Sequence, residues 1–147
     1  MRVVSAVVVA LVVAAATVGA ARGAAPRIVI FSGGPVAHQV VLSDWPSIFD
    51  VVESVVAARV VRPAGLAGRP RLKVSMFWGP RWIDYLGEGK RASALTPRQA
   101  DQFGVFYPAW REQPALIDLP WAGRWPRVVP PKALAILARF GVPTKLG

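Results

Sequence analysis

The sequence predicts the α+β class: a small single domain with a largely antiparallel sheet and two main helices, preceded by an N-terminal leader. Three observations carry this expectation. Short apolar runs of strand length are separated by turn signals rich in Gly and Pro. Two longer segments instead repeat their apolar residues at helical spacing. The strands also come in runs, not in regular alternation with helices, which argues against a parallel doubly wound sheet.

Residues 1–23 stand apart. Arg2 and the amino terminus make a small positive region, Val3 to Val13 an apolar run, and Ala14 to Gly23 a stretch dominated by small residues. This is the layout of a secretory signal peptide, with Val18-Gly19-Ala20 supplying the small-x-small cleavage pattern and Ala21-Arg22-Gly23 a second one. The alternative is an uncleaved membrane anchor, because residues 3–21 carry no charge over nearly the length that spans a bilayer. Both readings expect an exported protein, secreted or in the periplasm or cell envelope, and the second expects it tethered by residues 3–21. Residues 24–147 then form one globular domain, long enough for a single core. The chain has no cysteine, so its fold must stand without disulfides.

From Pro26 onward the elements follow in order. Arg27 to Phe31 reads as a buried strand, stopped by Ser32-Gly33-Gly34-Pro35. Val36 to Leu42 alternates as a second strand, with Val36, His38, Val40 and Leu42 on one face. The short connection favours an antiparallel pair. Ser43 or Asp44 can cap a helix with Pro46 in its first turn, and Ile48, Val52, Val55 and Val56 mark its apolar stripe to about Arg59. A Pro/Gly-rich loop covers Arg62 to Arg71, and Leu72 to Trp78 is a clear alternating strand. Trp82 to Leu86 is ambiguous, and Gly87 to Lys90 is a turn. Thr96-Pro97-Arg98-Gln99 starts a short helix that Gly104 closes. Val105 to Tyr107, Ala115 to Leu119 and Arg127 to Val129 read as short strands. Pro130-Pro131 opens the last helix, Lys132 to Phe140, with Leu134, Leu137 and Phe140 on its face and Gly141 at its left-handed cap.

Charge narrows the partners. From Ala24 the chain carries 16 basic and 8 acidic residues, a net charge of +8. That favours an anionic envelope polymer, carbohydrate or an anionic lipid surface, ahead of nucleic acid, with a protein partner also open. Fourteen of the chain's eighteen basic residues are Arg and Asn is absent, a bias that a GC-rich coding sequence produces without selection for binding.

Two short segments repeat a pattern, Trp78-Gly79-Pro80-Arg81-Trp82 and Trp121-Ala122-Gly123-Arg124-Trp125, both W-x-x-R-W. Positions four apart share one side of a strand or a helix, so the two tryptophans of each copy are placed to meet, with Arg on an indole face. No acid occurs from Ser54 to Ile83 or from Leu119 to Gly147, and each window holds one copy. Cations interleaved with aromatics suit a polymer that carries both charge and rings. The competing account has the tryptophans filling the core of a small cysteine-free domain.

His38 is the only histidine and the natural general base, with Ser32, Ser43 and Asp44 near it in sequence. No G-x-S-x-G elbow surrounds a serine, and a hydrogen-bonded histidine in the core or at the sheet edge is the simpler account. A metal site lacks Cys and a second His, and the carboxylates form no calcium loop. Asp84 and Glu88 come nearest to a carboxylate pair, with Gly87 expected to break the helix that would align them. No dinucleotide or phosphate-loop spacing is present, so no cofactor is expected. The leading expectation is therefore an exported, non-enzymatic binding or envelope-associated accessory module, contacting an anionic or carbohydrate polymer through Trp78, Arg81, Trp82, Trp121, Arg124 and Trp125. The alternatives are a small secreted hydrolase using His38 and a structural subunit of an extracytoplasmic complex.

Overall fold

A computed structural model describes residues 25–62 and 65–147. The expected leader, whether signal peptide or anchor, lies outside the described residues. Within them the chain forms eight strands and three α-helices. The strands are β1 (Ile28–Ser32), β2 (Val40–Leu42), β3 (Leu72–Phe77), β4 (Gln102–Tyr107), β5 (Ala109–Trp110), β6 (Leu116–Asp118), β7 (Arg127–Val128) and β8 (Lys145–Leu146). The helices are α1 (Trp45–Val56), α2 (Pro80–Gly87) and α3 (Pro131–Arg139). Six strands make one sheet in the order β2-β1-β3-β4-β6-β7, with every neighbouring pair antiparallel. β5 and β8 form a small parallel pair beside it. No helix among the described residues is long and apolar enough to cross a membrane.

Side-chain alternation gives the sheet two apolar faces. Val29, Phe31, Val74, Met76, Phe106 and Ile117 pack on one face beneath Ile48, Val51 and Val55 of α1 and Ala133, Ile136 and Leu137 of α3. Ile28, Ile30 and Phe77 face the other way and are covered by Trp82 of α2 together with Ala92 and Leu95. The mostly antiparallel α+β architecture thus matches the expectation, but the number of helices does not. α2 is the third, formed where the sequence was ambiguous. Gly79 turns the chain at φ 96° and Pro80 opens the helix. Trp82, Tyr85 and Leu86 then supply an i, i+3, i+4 stripe against the second face.

Other elements shift for identifiable reasons. β2 is three residues long, not seven, because β1 ends at Ser32. Phe31 pairs with Val40, so extending the ladder would set His38 opposite Gly33, whose φ of 78° has already left the strand. His38 is consequently exposed and shares no packed face with Val40 and Leu42. α1 stops at Val56, not near Arg59, since Val128 N–H donates to Arg59 O and Val61 N–H to Pro126 O, drawing residues 59–61 alongside β7. Its buried stripe is Ile48, Val51 and Val55, while Val56 faces solvent. Gly104 does not close a helix. The turn at Thr96 is a single 3₁₀ segment, Pro97–Gln99, and Gly104 lies inside β4, where a Cβ would come within 2.5 Å of Asp118 O. In α3 the buried residues are Ala133, Ile136 and Leu137, a face rotated from the expected one. Gly141 takes the left-handed cap as expected, and Val142 N–H reaches Leu137 O.

Candidate functional site

Sheet topology brings the two W-x-x-R-W copies to one place. β3 and β6 both pair antiparallel with β4, so they run in the same direction on either side of it. Each leads into one copy, and both copies therefore leave the sheet at the same end. β4 starts at that end, bringing Asp101 and Gln102, and β7 starts there too, bringing Trp125. Outside β7, the Val60 bridge to Arg127 carries Arg62 to the same rim.

The tryptophans do not pair within their copies. Trp78 and Trp121 meet each other instead, edge to face, with ring centroids 5.3 Å apart and planes at 86°. Alternation explains this. Trp78 continues the face of Met76 and Trp121 that of Ile117, and both rest half-buried against the larger core. Trp82, on α2, lies under the opposite face and is buried edge to face against Phe77 at 4.9 Å. Trp125 stands further along the rim with two guanidiniums on its ring, Arg124 at 5.0 Å and Arg62 at 5.6 Å. The Arg–indole contact expected inside each copy is present in both, since Arg81 lies 4.5 Å from the Trp82 ring.

Asp101 organises the first copy. Its carboxylate accepts the Trp78 backbone N–H at 2.7 Å and the Trp82 indole N–H at 3.0 Å, and it pairs with the Arg81 guanidinium. Partial burial pushes the Asp101 carboxyl up. The Trp78 and Trp82 donors and the Arg81 charge outweigh that and hold it below the usual carboxylate range. Trp78, Asp101, Gln102 and Trp121 line a shallow, open groove. The indole nitrogens of Trp78 and Trp121 are buried and find no partner among the described residues.

The residues proposed from sequence therefore divide into three settings. Trp78 and Trp121 line the groove, Arg81 and Trp82 brace it through Asp101, and Arg124 and Trp125 form a separate cationic corner. Asp101, Gln102 and Arg62 were not foreseen. Asp101 did carry a signal, as the lone acid between Glu88 and Glu112, next to a strand. Only the strand order could bring it beside Trp78.

Among the described residues, no catalytic constellation forms around His38. The imidazole is exposed before β2 and makes no hydrogen bond among the described residues, while the nearby Asp44 carboxylate accepts the Ser47 hydroxyl. Gly87 does not break α2, and Glu88 N–H closes the last turn onto Asp84 O at 2.9 Å. Glu88 itself pairs with Lys90 at 3.0 Å. Burial pushes the Asp118 carboxyl up, but its side chain points to the face opposite Ile117 and away from the groove. No cluster of three or more metal-ligating side chains occurs among the described residues. No family model, curated protein or solved structure matches the chain.

Proposed function

We propose that this protein is an exported, non-enzymatic binding module whose contact surface is the rim at the end of the sheet, and that the Trp78–Trp121 groove holds a ring of a carbohydrate polymer. One observation supports this reading most. Two tryptophans from distant copies of one pattern converge beside an acid and an amide in an open groove. An indole offers apolar area for the C–H face of a sugar ring. The Asp101 carboxylate accepts hydrogen bonds from hydroxyls, and the Gln102 amide both donates and accepts. An acid in the groove disfavours a phosphate at that point and suits a neutral sugar. The rim is also long enough for more than one residue of a polymer. From β3 across β4, β6 and β7 to residues 60–62 it crosses four strand spacings, about 19 Å.

The test is affinity electrophoresis of the full chain through gels containing hydroxyethylcellulose or glycol chitin, two soluble neutral glycans. At least one should retard the protein. Trp78→Ala and Trp121→Ala should each weaken that retention about tenfold, the ratio that roughly 1.4 kcal/mol produces. Trp110→Phe, in β5 beyond the opposite end of β4, should leave retention by the folded protein unchanged. Retention that survives both groove substitutions in folded protein, or no retention by either glycan, refutes the reading.

A further inference from the structure

We infer that the polymer is an anionic glycan, with an acidic group seated by Arg62 and Arg124 around Trp125 while a neutral ring occupies the Trp78–Trp121 groove. The inference rests on the carbohydrate reading of that groove and names its substrate class. Two guanidiniums share one indole, at 5.0 and 5.6 Å from its centroid, an arrangement in which like charges are gathered and repel. Nothing acidic offsets them locally, for the ion pairs among the described residues are Arg81–Asp101 and Lys90–Glu88. The segments that supply them, 54–83 and 119–147, contain no acid.

Other arginines of these two segments are already committed. Arg127 donates to Val56 O, Ala58 O and Ala122 O. Arg69 is buried and donates to Pro108 O and Pro114 O. Arg62 and Arg124 are exposed, and neither donates a side-chain hydrogen bond within the described residues. Each guanidinium keeps its fork of donors, whose geometry matches a carboxylate, sulfate or phosphate. The indole that both approach carries no charge and so leaves them unneutralised. Because this corner lies on the same rim as the groove, a single chain laid across the sheet end reaches both.

Matched polymers separate the two claims. Affinity electrophoresis compares hydroxyethylcellulose with carboxymethylcellulose and glycol chitin with carboxymethyl chitin, with polyphosphate and phosphatidylglycerol vesicles as anions without sugar. The expected result is retention about tenfold stronger on a carboxymethylated glycan than on its neutral match at low salt, declining as salt rises. The double variant Arg62→Gln/Arg124→Gln should bind both members of the pair equally, at the wild-type neutral level. Trp78→Ala should weaken both by the same factor. Equal binding of both members by the wild type, or a preference that persists in the double variant, overturns the anion corner and leaves the groove standing. Tight binding to polyphosphate or vesicles that ignores Trp78→Ala overturns the glycan assignment. Both substituted arginines are exposed, so an unchanged melting temperature shows the double variant folded.

Discussion

Asp101 shows how much one exposed-looking carboxylate can organise. It gathers a backbone N–H, an indole N–H and a guanidinium from three residues of one W-x-x-R-W copy. Asp101→Asn should cost about 1–2 kcal/mol in urea unfolding at neutral pH, since charge-assisted bonds exceed neutral ones but this pair is partly solvated. The pH dependence has a definite sign. A carboxyl held below its unfolded value, near 3.9, stabilises fully above that value, and the contribution disappears as pH falls through the folded one. The stability gap between wild type and Asp101→Asn should therefore be constant near neutrality and close below about pH 4. A gap that stays open in acid would show that the carboxylate charge is not what matters. Arg69 teaches the converse. Its place in a Pro/Gly-rich loop suggests a solvated cation, yet the guanidinium is buried and spans the carbonyls of Pro108 and Pro114. Burial lowers its pKa even though Tyr107 opposes the shift. Arg69→Met should destabilise by about 1–3 kcal/mol in denaturant melts, because the buried bond to Pro108 O and the partly buried one to Pro114 O lose their donor. Nothing in residues 62–71 read alone reveals this, as both acceptors are prolyl carbonyls far along the chain.

Among the elements, legibility followed local chemistry. β1 was readable from a continuous apolar run stopped at Gly33-Gly34, β3 from its alternation, and α3 from its proline start and the glycine that ends it. α2 was not, for eight residues give too few turns to set a period apart from a strand, and its stripe gains meaning only against Phe77 and Leu95. β2 was overextended because period-two alternation continues through His38, while the pairing that makes a strand ends with β1. The tight reversal after β5 was equally hidden. Trp110 and Gln113 exchange backbone hydrogen bonds across Arg111 and Glu112, whose φ values are 47° and 64°. Two-residue hairpins of this kind favour Asn-Gly, since side chains with a Cβ are strained in the left-handed region. Arg111→Asn/Glu112→Gly should accordingly raise stability by about 1 kcal/mol in urea unfolding. A lower midpoint would mean that the original pair makes compensating contacts.

For the whole molecule, pattern made the α+β class and the antiparallel preference readable, because strands come in runs and a short connection joins β1 to β2. Strand order was not readable. It depends on β3 returning after α1 to the free edge of β1 rather than to β2, and no short-range signal specifies that placement. The candidate site shares the same fate. The sequence exposed two copies of W-x-x-R-W and two acid-free windows, yet it suggested contacts inside each copy. The sheet instead joins the first tryptophan of one copy to the first of the other. That junction has an optical consequence. Two indoles 5.3 Å apart and nearly perpendicular are close enough to exchange excitation, so the domain carries a native chromophore pair that exists only when β3, β4 and β6 are in register. The dichroism of this pair, isolated as the difference between wild type and Trp78→Phe, reports tertiary assembly at one point of the sheet, and a molecule entering the groove should alter it without any attached dye.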